Sequence, residues 1–127
     1  MTRVGGIIGG LALATALPVA AAAQTGSYYC LFSTRCDTED CTPDTFTVEI
    51  ALADHGNGLW LIYEGRHRAV DDATPSDTPM AMFISPGYED NLTLTIYPTG
   101  EALHVYQDYQ PDHGPRQQTA YGQCEVQ

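Results

Sequence analysis

Apolar and polar residues alternate with a period of two along most of this chain, the spacing of a β-strand whose successive side chains point to opposite faces. Phe46, Val48, Ile50 and Leu52 alternate with Thr47, Glu49, Ala51 and Ala53, and Leu92, Leu94 and Ile96 alternate with Thr93, Thr95 and Tyr97. Tyr28, Cys30 and Phe32 share one face of an earlier run, and Ala120, Gly122 and Cys124 share one face of the last. Breakers separate the runs: Asp54-His55-Gly56-Asn57-Gly58, Gly65, the stretch from Asp71 to Pro79, Pro86-Gly87, Pro98-Thr99-Gly100, and Pro111 with Gly114-Pro115. Gly and Asn supply the positive φ that a chain reversal often needs. The pattern predicts about eight short strands and no helix after Gln24, hence an all-β domain, a small antiparallel meander barrel or sandwich. An even strand count brings the first and last strands of a meander side by side, antiparallel, if it closes. Inward-facing Phe46, Ile50, Leu52, Leu94 and Ile96 predict an interior filled by side chains rather than a ligand cavity. Leu103 and Val105 share one face of the run after Gly100, and Tyr97 is expected opposite Tyr106.

The first two dozen residues follow a different pattern. Arg3 precedes an almost wholly apolar stretch from Ile7 to Val19, and Ala21-Ala22-Ala23 completes the small-x-small motif of a signal-peptidase site. Residues 1–23 are therefore expected to be a cleaved leader and residues 24–127 a single all-β domain, periplasmic or secreted. The apolar stretch is too short and too rich in glycine for a retained membrane span, and no membrane insertion is expected once it is removed. Export changes the meaning of Cys30, Cys36, Cys41 and Cys124, which in an oxidising compartment read as two disulfides. Their spacing fits none of the usual zinc patterns. Three connectivities exist; Cys30 and Cys124 both point to an apolar face of a terminal strand, which favours Cys30–Cys124 and leaves Cys36–Cys41 to close a small loop.

Charge narrows the partners. The 127 residues carry five Lys+Arg, sixteen Asp+Glu and a formal net charge of -11. Without Arg3 the balance is four arginines against sixteen carboxylates, or -12, with no lysine at all. Nucleic acid is an unsuitable partner, because phosphate contacts need clustered Lys and Arg, and a basic protein surface is the kind of macromolecule such a domain attracts. Arg66 and Arg68 flank His67 in the one basic cluster, expected on a solvent face and paired with the domain's own carboxylates. Asp37, Glu39, Asp40 and Asp44 do not follow the twelve-residue calcium loop, which needs glycine where Thr42 stands. No metal or cofactor site is read from the chain.

Nothing in the pattern identifies a catalytic residue either. No serine stands in a Gly-x-Ser-x-Gly elbow, and the thiols are assigned to disulfides. His104 lies on a strand with Tyr106 and Asp108 on the same face. A His/Asp pair is the chemistry of a general base, and the outward polar face of a hairpin accounts for it as well. The expected function is a non-catalytic binding or cell-envelope role, with a small periplasmic hydrolase as an alternative.

Two resemblances add to this reading. Tyr28-Tyr29-Cys30-Leu31-Phe32-Ser33-Thr34-Arg35-Cys36, with Cys41 and Thr45 soon after and Gly122-Gln123-Cys124-Glu125 at the end, resembles the small four-cysteine exported proteins of alphaproteobacteria. That resemblance implies a Gram-negative periplasm or secretion and brings no activity with it. Ser85-Pro86-Gly87-Tyr88 followed by Gly100-Glu101-Ala102 is similar to the inhibitory loop and following strand of periplasmic C-type lysozyme inhibitors, which are small barrels cross-linked between their ends. It departs from them in having Thr99 where that family places a lysine and in the interruption by Pro86. It implies Ser85, Gly87 and Tyr88 as interaction residues beside Arg66 and Arg68, and inhibition of a basic lysozyme-like protein as a second functional alternative.

Overall fold

A computed structural model describes residues 27–53, 58–87 and 89–127. The predicted leader, His55 and Tyr88 lie outside the described residues. Eight antiparallel strands follow one another around a closed barrel: β1 (Tyr28–Cys36), β2 (Cys41–Leu52), β3 (Leu59–Tyr63), β4 (Arg66–Asp72), β5 (Ala81–Pro86), β6 (Asp90–Ile96), β7 (Glu101–Gln110) and β8 (Gly114–Val126). No helix occurs among them. β1 pairs with β8, so neither terminal strand leaves an open edge.

The interior is packed with side chains from alternate positions: Cys30 and Phe32, Val48 and Ile50, Leu61 and Tyr63, Phe83, and Leu92, Leu94 and Ile96 are all buried. Cys30 pairs across the closure with Cys124 and is disulfide-bonded to it; Cys36 pairs with Cys41 and is bonded likewise. Two structural disulfides suit an oxidising, non-cytoplasmic compartment. At Gly122 β1 packs tightly against β8. A Cβ there would lie 2.3 Å from the Leu31 carbonyl oxygen and 2.6 Å from the Phe32 ring, so only glycine fits.

Three expectations are corrected. Leu52 ends β2 at 60% exposed, past the point where the barrel closes over the core. Tyr106 faces Leu92 across the β6–β7 ladder, and Tyr97 sits in the turn beyond its end. The strands after Gly65 and Gly100 turn the other way from the reading above: Arg66 and Arg68 follow the inward register of Val70, and His104 follows that of Ala102, leaving Leu103 and Val105 outward. Alternation divides a strand into two faces, and the neighbouring strands decide which is inside.

One seam of the barrel is weakly laddered. β4 and β5 pair only at Asp71–Ile84 and Asp72–Phe83. Beyond that point side chains take over: Ser85 Oγ donates to the Ala69 carbonyl (2.7 Å), while Arg68 donates from Nε to Ser85 Oγ (3.2 Å) and from Nη2 to the Ser85 carbonyl (3.3 Å). Ser85 is fully buried. Removing its hydroxyl leaves the Ala69 carbonyl and one guanidinium N–H unpaired, which costs about 2 kcal/mol. Ser85→Ala should therefore lower the urea midpoint with the m-value unchanged; an unchanged midpoint would show that the seam does not depend on this bond.

Candidate functional site

The inward register turns polar at one end of the barrel, the end reached by the C-terminal half of β1 and the N-terminal halves of β4 and β8. A bulge places the first of these groups. The register of β1 shifts after Phe32, so that Arg35 rather than Thr34 comes opposite buried Ala120. Re-aiming a side chain in this way is a common use of a bulge. The Arg35 guanidinium lies 4.2 Å over the Phe46 ring, and its Nη1 donates to Tyr63 Oη at 2.7 Å. Its Nε is 2.8 Å from Asp44 Oδ2, an ion pair without hydrogen-bond alignment, and Nη2 is 3.8 Å from Glu64. Glu64 reaches this position from the tight β3–β4 turn, where Glu64 and Gly65 have φ of 52° and 77°. Positive φ at both central residues is the geometry of a two-residue hairpin turn.

The other arginines meet the same mouth. Arg68 Nη2 donates to Asp90 Oδ1 at 2.7 Å, and Tyr106 Oη donates to Asp90 Oδ2 at 3.0 Å. The Arg68 bonds hold the Asp90 carboxyl below the ordinary carboxylate range, and burial together with the Asp90 bond pushes the Tyr106 phenol up to about 12. Arg116 forms two bonds with Asp108, at 3.1 and 2.8 Å. Arg66 pairs in register with Tyr63 and is exposed, the one arginine without an ion pair among the described residues. All four arginines of the described chain thus stand at one mouth, three of them held by Asp44, Glu64, Asp90 and Asp108.

Beneath this mouth sits His104, 2% exposed, with ring centroids 5.2 Å from Tyr63, 5.6 Å from Phe32 and 5.7 Å from Phe46. Its Nε2 has no hydrogen-bond partner. Burial, with the Arg35 charge adding, pushes its pKa down to about 4, so it is neutral at pH 7. Asp108, on the same strand face, is taken up by Arg116. The His/Asp pair that the spacing allowed does not form.

The sequence-marked loop residues separate. Ser85 is sealed inside the β4–β5 seam, and Gly87 donates its N–H to the Asp90 carbonyl at 2.7 Å. A Cβ on Gly87 would fall within 2.8 Å of Arg68 Nη2. Ser85, Gly87 and Arg68 therefore form one cluster with Asp90 at the end of the β4–β5 seam, buried only at Ser85, and Arg66 stands beside it in the open. In the acidic hairpin tip, Asp37 Oδ1 accepts the backbone N–H groups of Glu39 and Asp40, both at 2.9 Å. These bonds hold the Asp37 carboxyl below its usual range. No group of three His, Cys, Asp or Glu among the described residues is arranged to hold a metal.

A second feature, on the outer wall, was not legible as a site in the pattern. Leu31 and Ser33 of β1, Tyr97 of the β6–β7 turn, Glu101 at the start of β7, and Tyr121 and Gln123 of β8 line an open groove of about 590 Å³. The available signal was the parity of Leu31 and Tyr121, apolar residues standing on the polar side of their strands. Comparison of the chain with protein-family models, with curated proteins and with solved structures finds no match.

Proposed function

We propose that the mature chain is a non-catalytic binding domain, periplasmic or secreted, whose acidic surface docks on a basic protein. The observation that supports this reading is the segregation of charge. Every arginine of the described chain is gathered at one mouth, and four carboxylates are spent on them. The eleven other described carboxylates, among them Glu49 and Glu125 on the wall and Asp37 and Asp40 on a hairpin tip, form no ion pair with an arginine. A surface of one sign steers an oppositely charged partner and discriminates against others. His104, the buried candidate base, is neutral, sealed among aromatic rings and without a carboxylate, which favours binding over hydrolysis.

A C-type lysozyme is the first probe, being a basic protein whose inhibitors the chain resembles. Contact through Ser85 is not part of this reading, since that side chain is committed inside the barrel. Calorimetric titration of the mature protein with lysozyme should give binding that weakens steeply as salt rises from about 0.05 to about 0.5 M, over which the screening length shortens several-fold. Lysozyme and a panel of other basic proteins that all fail to bind at low salt would sink the proposal.

A further inference from the structure

We propose that the groove between Tyr97 and Tyr121 receives a cationic side chain, arginine or lysine, of the basic partner; this rests on the acidic-surface reading and gives that surface its point of contact. Leu31, Tyr97 and Tyr121 are 49%, 38% and 69% exposed, large side chains left in water around one groove. Their convergence on one groove, more than their exposure, is what sets them apart. The lining is aromatic at two sides and carries one carboxylate, Glu101. Aromatic faces attract a cation through the ring quadrupole, and a carboxylate at the rim completes the recognition of a guanidinium or ammonium. An apolar peptide would leave Glu101 without a role, and an anion would be repelled by it.

The charge balance points the same way. No arginine lines the groove, and all four in the described chain stand at the mouth on the inner register, so no cation of its own competes for Glu101. Glu101 is also positioned: Thr99 Oγ1 donates to its Oε1 at 3.0 Å and accepts its backbone N–H at 3.3 Å, leaving Oε2 free for a partner. Backbone bonds and a disulfide brace the groove. The Tyr97 turn closes through Tyr97 N–H to the Glu101 carbonyl (2.9 Å) and Gly100 N–H to the Tyr97 carbonyl (2.8 Å), and Cys124 N–H binds the Gly100 carbonyl (2.7 Å). Cys124 in turn is covalently tied to β1 at Cys30. All three lining elements are thus fixed to one another before a partner arrives, which reduces the ordering cost of binding.

The test uses the ¹⁵N-labelled mature protein titrated with an octa-arginine peptide and with a neutral glycine–serine peptide of equal length, followed by amide shifts. The arginine peptide should move Leu31, Tyr97, Glu101 and Tyr121 first, and the neutral peptide should move none. The double variant Glu101→Gln/Tyr121→Ala should weaken the arginine peptide roughly ten-fold, the combined size of an exposed cation–π contact and a surface ion pair. Glu39→Gln, the same charge change on the hairpin tip, should alter it less than about two-fold. Both positions are exposed, and the wild-type shift map reports on the groove even if the double variant is poorly folded. Shifts spread over the whole acidic surface, with Glu39→Gln and Glu101→Gln equally damaging, would overturn the groove while leaving the acidic-surface reading intact. Silence toward both the peptide and lysozyme would overturn both.

Discussion

Replacing Cys30 and Cys124 together by alanine should lower the unfolding free energy by about 4 to 5 kcal/mol, because their link closes a loop spanning 94 residues and removes that closure entropy from the unfolded chain. The same change at Cys36 and Cys41, five residues apart, should cost about 2 kcal/mol. Small domains are stable by only about 5 to 15 kcal/mol, and each kcal/mol is worth about 4 to 8 °C. The first variant should therefore melt roughly 16 to 40 °C below the native protein, and the second roughly 8 to 16 °C below. Calorimetry of the two double variants decides it. Equal losses would mean that closure of the barrel does not depend on the long link, and that its eight ladders are sufficient alone.

The second large effect is a loss of stability in mild acid, carried by His104. An unfolded histidine takes up its proton near pH 6.5, whereas His104 in the barrel takes it up only near pH 4. As pH falls through that window the unfolded state binds a proton that the folded state refuses, so stability is whole above 6.5 and is progressively lost down to about 4. Each pH unit of separation is worth about 1.4 kcal/mol, so the loss approaches roughly 3 kcal/mol. His104→Leu fills the same aromatic box without a titrating group, and its stability should be flat between pH 6.5 and 4.5. Urea unfolding of both proteins at the two pH values checks this, and parallel acid losses would exonerate His104. Asp90 acts in a lower window: its carboxyl is held below the ordinary range by Arg68, so its contribution disappears only below about pH 4.

The fold was largely legible because the evidence for it is periodic. Tyr28, Cys30 and Phe32 on one strand, and Ala120, Gly122 and Cys124 on another, place the two distant cysteines on matching faces without any knowledge of the register. Period and breakers together predict the strands and the even count. The mouth was not legible, for three physical reasons. A bulge after Phe32 breaks the alternation, so nothing in the pattern sends Arg35 inward. β7 is apolar on both faces, and Leu103 with Val105 offers as good an inner face as Ala102 with His104 until Leu94 is placed opposite His104. Arg68 reads as a solvent residue because polar groups usually are, yet the inner register of a short barrel runs out to its rim, where a long cation can bury its stem and keep its charge paired, as Arg68 does with Asp90, while Arg66, one step further out, stays in solvent. Ser85 misleads for a similar reason: its neighbours resemble an exposed loop, but the hydroxyl substitutes for a missing ladder.

That missing ladder lies between β4 and β5, and in a ring of eight strands this position is diametrically across from the joint of β1 and β8, where Cys30 and Cys124 are bonded. The barrel therefore has a spine and a fore-edge. Local opening is expected to begin at the fore-edge, where backbone pairing is shortest, with β1 to β4 and β5 to β8 still joined along the spine. The groove proposed to take the partner's cation straddles the spine, whereas Arg68 and Ser85 close the fore-edge. Opening that begins at the fore-edge is therefore expected to leave the three elements of the groove joined.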